Sequence, residues 1–294
     1  MRIFRSLTLL VVLTLITACA TLPTSGPVNT SQPDAPERSA VDVIYSGPSP
    51  DASPQAIVEG FLAASSSGYG DDFATARLYL TDDAAEQWDP YARVDILDAS
   101  KPTHIEVAES SAVTVTTTLA ADVDPHGRLA TKDTPVETER RYRLVTDNAD
   151  QWRIAELPDG LMMADVTFEN HFDRIPLHFI SPDRRVLVPE TRWFPRHTAV
   201  RSATQALLYG PSSWLAPAVT TAAPTKARLE SVSEGPDGVA AVDLTTPATL
   251  SETERAEFFA QLQRTLRQIP AVQSLSVRIN GTPMNSQSPA VLST

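Results

Sequence analysis

Three kinds of group in this chain could start chemistry: one thiol, five imidazoles and a run of acids with metal-loop spacing. The thiol, Cys19, is the only cysteine in 294 residues, so it has no disulfide partner within the chain. It directly follows Leu15-Ile16-Thr17-Ala18, an aliphatic pair and then two small residues. That order resembles the bacterial lipobox, in which the sulfur is diacylglycerated and the chain is cut just before it. The upstream residues agree. Arg2 and Arg5 form a basic start, and the uncharged run Leu7 to Ala18 follows. A membrane-spanning helix needs about 20 apolar residues, whereas the apolar core of a signal peptide is this short. Two or three acyl chains on one residue give stable membrane attachment where a single chain is marginal. An ordinary signal peptide, or a thiol buried in an anchor helix, is the alternative these residues leave open.

The imidazoles offer less. His104, His126, His171, His178 and His197 fall in separate segments, and the spacing of His171 from His178 does not force shared metal geometry. Asp122-Val123-Asp124-Pro125-His126-Gly127 begins like a calcium loop, D-x-D-x-D-G. However, His126 stands where the third oxygen ligand belongs, and the twelfth place holds Asp133, one methylene short of the usual bidentate Glu. A hairpin turn accounts for the same residues. There is no G-x-S-x-G, S-x-x-K, H-E-x-x-H, P-loop or G-x-G-x-x-G, so no catalytic set, metal site or cofactor site is expected.

Two looser constellations remain. Asp95, Glu106, Tyr79 and Trp88 would face a cavity if the first folded unit is a cone, giving a small-molecule binding protein or an enzyme. In the bland reading Tyr79 and Trp88 simply fill the core. Arg192, Trp193 and Trp214 would be exposed anchors for a partner protein, because Trp and Arg dominate interface hot spots. Their bland reading is burial.

The elements that must position these groups divide the chain. Residues 1–18 read as the leader. Residues 19–52 are rich in Pro, Ser, Thr, Asp and Gly and read as a disordered tether. From Ser53-Pro54, an N-cap with proline at the first helical position, helices are expected to carry Ile57 to Leu62, Asp71 to Leu80, and Thr81 to Trp88. Past Pro90 the period changes to two, with strands around Val94–Ile96, Ile105–Val107, Val113–Leu119, Tyr142–Leu144 and Trp152–Ile154. Helices followed by an antiparallel sheet make residues 53–157 an α+β unit that looks like the NTF2-like cone.

A connector over 158–176 leads to a second α+β unit, 177–284, and a disordered tail, 285–294. The second unit's signals are strands around Ser181-Pro182-Asp183, a helix capped by Thr198 and stopped by Gly210-Pro211, and the hairpin turn Gly235-Pro236-Asp237-Gly238. A capping box at Ser251–Glu254 then opens a helix that Pro270 halts. The formal charge of −12 becomes about −14 once Arg2 and Arg5 leave with the leader. That balance argues against nucleic acid and against polybasic adhesion to anionic lipid.

Particular residues also carry a resemblance. Leu157-Pro158-Asp159-Gly160-Leu161, HFISPDRRVLVPETRWFP (178–195) and LLYGPSSWL (207–215) resemble the actinobacterial LpqB lipoprotein family. So do Ile57 to Ala64 and the run from Tyr79 through Trp88-Asp89-Pro90, which match its N-terminal domain. The second unit is similar to the GerMN domain in its Leu-Leu-x-Gly-Pro-Ser helix end, its hairpin 237–244 and its closing run 272–281. The family continues from its GerMN domain into a β-propeller, and this sequence, stopping at NSQSPAVLST, is expected to lack one. The resemblance implies a non-catalytic extracytoplasmic accessory lipoprotein, lipid-anchored through a diacylglyceryl and palmitoyl Cys19 on the outer face of the cell membrane. It also implies association with the MtrA–MtrB two-component system, with the extracellular domain of the sensor histidine kinase as partner.

Overall fold

Ser53 and Pro54 start the first helix as their chemistry requires. The Ser53 hydroxyl accepts from the Ala56 amide at 3.2 Å, and α1 (Pro54–Ser66) buries Ile57, Val58, Phe61 and Ala64. In the computed structural model the described residues are 46–109 and 111–284. Cys19, the leader, most of the expected tether and the expected tail lie outside them.

The helix expected over Asp71–Leu80 is only α2 (Ala74–Arg77), because Asp72 and Phe73 take left-handed φ values of 51° and 61°. Asp71 instead turns its carboxylate onto the Thr75 amide (2.9 Å) and hydroxyl (2.6 Å), doing the work of a cap. Thr81 caps α3 (Asp82–Gln87) through the Ala84 amide.

Six strands form the first sheet: β1 (Val94–Leu97), β2 (His104–Glu109), β3 (Ala112–Val123), β4 (Leu129–Thr146), β5 (Trp152–Glu156) and β6 (Leu161–Ala164). Their order is β5-β4-β3-β1-β6, and β2 also pairs with β3. Along β3 burial alternates at every residue, so one face meets α1 and the other meets solvent. Both β1 and β2 lie along the same edge of β3, with a register shift between Leu119 and Ala121 that bends the strand. The bent sheet with helices packed in its hollow is consistent with an NTF2-like unit, and the chain is α+β throughout. Beyond Arg143 the far edge of β4 is covered by β5. Residues 129–142 have no second strand partner among the described residues.

Residues 158–176, expected as a connector, are built into structure. β6 pairs in parallel with β1, and α4 (Asp165–His171) follows it. Leu161, Met162 and Met163 are a short, wholly buried apolar run, too brief to show a period in sequence.

The second unit begins with a hairpin of β7 (Phe172–Ile180) and β8 (Leu187–Pro195). Phe172 packs in the first core while Ile175 packs in the second, so one strand passes between the two cores. Next come α5 (Ala199–Tyr209), β9 (Arg228–Glu234), β10 (Val239–Thr245), α6 (Glu252–Leu266), β11 (Ser274–Ile279) and β12 (Thr282–Pro283). β10 and β11 are parallel, so α6 serves as the crossover that parallel strands need. The expected capping box of α6 is present, with Ser251 and Glu254 each bonding the other's amide. Thr198 stands at the start of α5, yet its hydroxyl meets Ser202 rather than a backbone amide. Among the described residues, no helix is long and apolar enough to cross a membrane.

Candidate functional site

The calcium-like run folds as a turn, and the turn is a docking pin. Between β3 and β4, one carboxylate oxygen of Asp124 accepts from the amides of His126 (2.8 Å) and Arg128 (2.9 Å). Asp122 faces away, paired with Lys132 at 2.5 Å and Arg93 at 3.5 Å. Among the described residues no group of three or more His, Cys, Asp or Glu is placed to hold a metal.

The tip of the turn inserts between elements of the second unit. The Trp193 amide donates to the Gly127 carbonyl at 2.8 Å. The His126 ring stacks on Tyr209, centroids 3.5 Å apart. Arg128 donates to the Ser212 hydroxyl at 2.8 Å and lies over the Tyr209 ring. Gly127 has φ +79°, and a Cβ there would fall 2.5 Å from Phe194 and 2.7 Å from the Trp193 carbonyl. Only glycine satisfies both demands.

Arg192, expected as an exposed anchor, is fully buried at 0 % exposure. Alternation along β8 puts Glu190, Arg192 and Phe194 inside. The Arg192 guanidinium donates to Glu190 at 3.0 Å, to the Gly210 carbonyl at 2.8 Å and to the His126 carbonyl at 3.4 Å. Glu190 also accepts from the Ser212 amide at 3.1 Å and from its hydroxyl. Burial pushes the Glu190 carboxyl up, but hydrogen bonds from Arg192 and Ser212 outweigh it and hold the group below its ordinary value. Arg192 therefore ties the turn, β8 and the end of α5 together. Trp193 is half-buried against Phe168, centroids 5.0 Å apart. Trp214 stands out at 72 % exposure.

The residues expected to face a cone cavity do not converge on one. Trp88 is 3 % exposed and packs edge-on against Phe61 at 5.1 Å. The Tyr79 hydroxyl donates to the Ser46 carbonyl at 2.9 Å. Asp95 is buried between Arg93 (2.5 Å) and Arg140 (2.6 Å), and Glu106 is exposed. Tyr79 and Trp88 thus fill the core.

A cavity of about 380 Å³ lies instead where the two cores meet. Its apolar walls include Phe172, Trp193 and the rings of Tyr69 and Tyr91; Asp72, Asp124 and Arg201 bring charge. His171 and His197 flank Tyr69 at 5.2 and 5.1 Å between centroids. Burial, and then the nearby Tyr91, pushes the Tyr69 phenol well above its ordinary value. Burial, and then Asp72, pushes Tyr91 up to about 12. Both rings therefore keep their protons across physiological pH. Sequence reading missed Tyr69 because Gly68-Tyr69-Gly70 serves equally well as the end of a helix. The one signal it carried was a large aromatic held between two glycines and followed by two acids.

Residues 47–169 match the family model described as Lipoprotein LpqB, N-terminal domain. Residues 176–285 match the model described as Sporulation and spore germination. Lipoprotein LpqB of Thermobifida fusca (strain YX) is 30% identical over 284 residues, which cover 91% of this chain and 45% of that protein. Lipoprotein LpqB of Cutibacterium acnes is 29% identical over 272 residues, covering 91% of this chain and 45% of that protein. The chain thus spans about half the length of the curated relatives it matches. Among solved structures, the tandem GerMN domains of the sporulation protein GerM from Bacillus subtilis align at 21% identity and a TM-score of 0.32. That alignment covers 40% of this chain and 44% of that one.

Proposed function

The chain belongs to the LpqB lipoprotein family, and from that membership we propose that it is a lipid-anchored, non-catalytic accessory module that binds a protein partner. Cys19 carries the diacylglyceryl and palmitoyl groups, and the folded residues stand on the outer face of the cell membrane. The partner is the extracellular domain of an envelope sensor kinase of the MtrA–MtrB type. The observation that carries the binding reading is Trp214, 72 % exposed. It stands two residues after Ser212, whose amide and hydroxyl are fixed by buried Glu190. A rigidly based, solvent-facing indole is the kind of residue that dominates interface hot spots.

Two measurements test this. Labelled palmitate should be incorporated into the wild-type chain and lost in Cys19→Ala, with the variant released to the medium. A mature N-terminus other than an acylated Cys19 would refute the anchor. A photo-crosslinking residue at position 214 should capture a sensor kinase on intact cells. Capture of the same partner from an exposed control site such as Glu86 would refute a specific role for that surface.

A further inference from the structure

The cavity between the two cores goes beyond this reading, since protein binding does not use it. Its volume of about 380 Å³ lies within the roughly 300–1,000 Å³ range of small-molecule sites. Three of its polar groups are left with capacity unused. Tyr69 is 6% exposed, and its hydroxyl has no hydrogen-bond partner among the described residues. A buried donor left unpaired keeps its desolvation penalty, which an acceptor on a ligand would offset. Asp72 accepts only the Tyr91 proton, at 3.2 Å, and has no cation in ion-pair range among the described residues. Arg201 lines the cavity from the first turn of α5 and makes no ion pair or hydrogen bond among the described residues.

The chemistry of an occupant follows from these groups. Asp124 also lines the cavity but is already held by Arg128 and by the His126 and Arg128 amides; of the two unpaired charges, Asp72 would meet a pure anion unfavourably and Arg201 a pure cation. A ligand with one charge of each sign satisfies both. The walls of Phe172, Trp193 and Tyr91 ask for an apolar body, and the unpaired Tyr69 hydroxyl asks for a neutral acceptor.

We propose that this cavity binds a small zwitterion with an apolar body, of the class of a free dipeptide bearing large apolar side chains. Its ammonium meets Asp72, its carboxylate meets Arg201, its peptide carbonyl accepts from Tyr69, and its side chains lie against Phe172 and Trp193.

Calorimetric titration of the full chain with leucyl-phenylalanine, its N-acetyl and C-amide forms, octanoate and octylamine tests the assignment. The free dipeptide should bind saturably, and each capped form should bind about tenfold or more weakly, the loss of one charge-assisted contact. Asp72→Asn should erase the preference over the N-acetyl form alone, and Arg201→Gln the preference over the amide alone. Tyr69→Phe should weaken all three peptides together. Trp193 emission should shift on binding, and that shift should vanish in Trp193→Phe. No saturable heat with the dipeptide at millimolar concentration would overturn the proposal. Octanoate or octylamine binding as well as the dipeptide, or binding indifferent to all three substitutions, would do the same. None of these outcomes bears on palmitate incorporation or on capture at Trp214.

Discussion

Replacing Arg192 with methionine gives the sharpest test of how the two cores are joined. The guanidinium is wholly buried and serves three acceptors, one of them the ionised Glu190. Removing one partner of a buried pair costs about 3–5 kcal/mol, because the remaining charge keeps its desolvation penalty with no compensation. For a urea slope of about 2 kcal/mol/M, the midpoint should fall by roughly 2 M. The double variant Glu190→Leu/Arg192→Met removes both charges. Replacing such a pair by apolar groups is often near neutral, so its loss should be closer to about 2 kcal/mol, from the orphaned Gly210 and His126 carbonyls and the Ser212 amide. A double-mutant cycle should therefore show that the two single losses do not add.

The effect should also depend on pH. In the wild type the Glu190 carboxyl lies below its ordinary value, so its stabilisation is complete above the unfolded carboxylate range. It is lost as pH falls through the lower folded value. In Arg192→Met burial acts with less opposition and raises that carboxyl. The penalty should then be largest near about pH 7 and shrink by about pH 5, as Glu190 takes up a proton and sheds its charge. A loss below about 1 kcal/mol, or a penalty equal at the two pH values, would refute the account of Arg192 as the tie between the units.

Other substitutions probe separate parts of the fold. Gly127→Ala should cost about 2–5 kcal/mol, combining left-handed strain with a collision against Phe194. Gly281→Ala, also left-handed at φ +75° but with open space around it, should cost only about 1–2 kcal/mol; equal midpoints in urea would show that the collision is relieved. His178 is pushed down to about 4, first by burial and then by Arg264. As pH falls below about 6.5, the unfolded chain protonates first and stability drops, by about 3 kcal/mol in total once the folded value is passed. The variant His178→Phe should flatten that limb in a series of thermal midpoints against pH. Ser251→Ala should cost about 1 kcal/mol by loss of the capping box, read from the denaturation of α6.

The parts of this fold that are legible in sequence are those with local causes. Ser53-Pro54, Thr81, Ser251–Glu254 and Gly210-Pro211 each mark a helix end through a bond made within a few residues, and each end lies where its chemistry puts it. Strands were legible where one face is buried, as along Val113–Leu119. The first two-thirds of β4 was not, because Thr131 to Glu139 is mostly polar with neither face in the core. Of the hairpin of β7 and β8, periodicity shows only Leu177–Ile180 and Val186–Val188, because Pro176, Pro189 and the inward Glu190 and Arg192 interrupt its apolar alternation. A charged residue looks like surface until its partner is known, and the partners of Arg192 lie up to 66 residues away in sequence. The cavity was hidden for a similar reason. Tyr69 and Asp72 share one short stretch, but Tyr91, Phe172 and Arg201 come from three others, and no local spacing relates those to the pair.

The bare stretch of β4 has a consequence for how these molecules tolerate company. A strand edge with unused amides and carbonyls invites a second copy to add itself, and a third after that. Here Lys132, Asp133, Glu137, Glu139 and Arg141 crowd the stretch, and Pro135 removes one donor from it. Polarity that hid this strand from sequence reading is thus also what keeps it solitary. Drift at those positions toward valine or threonine would leave each molecule well folded while making a concentrated population stick.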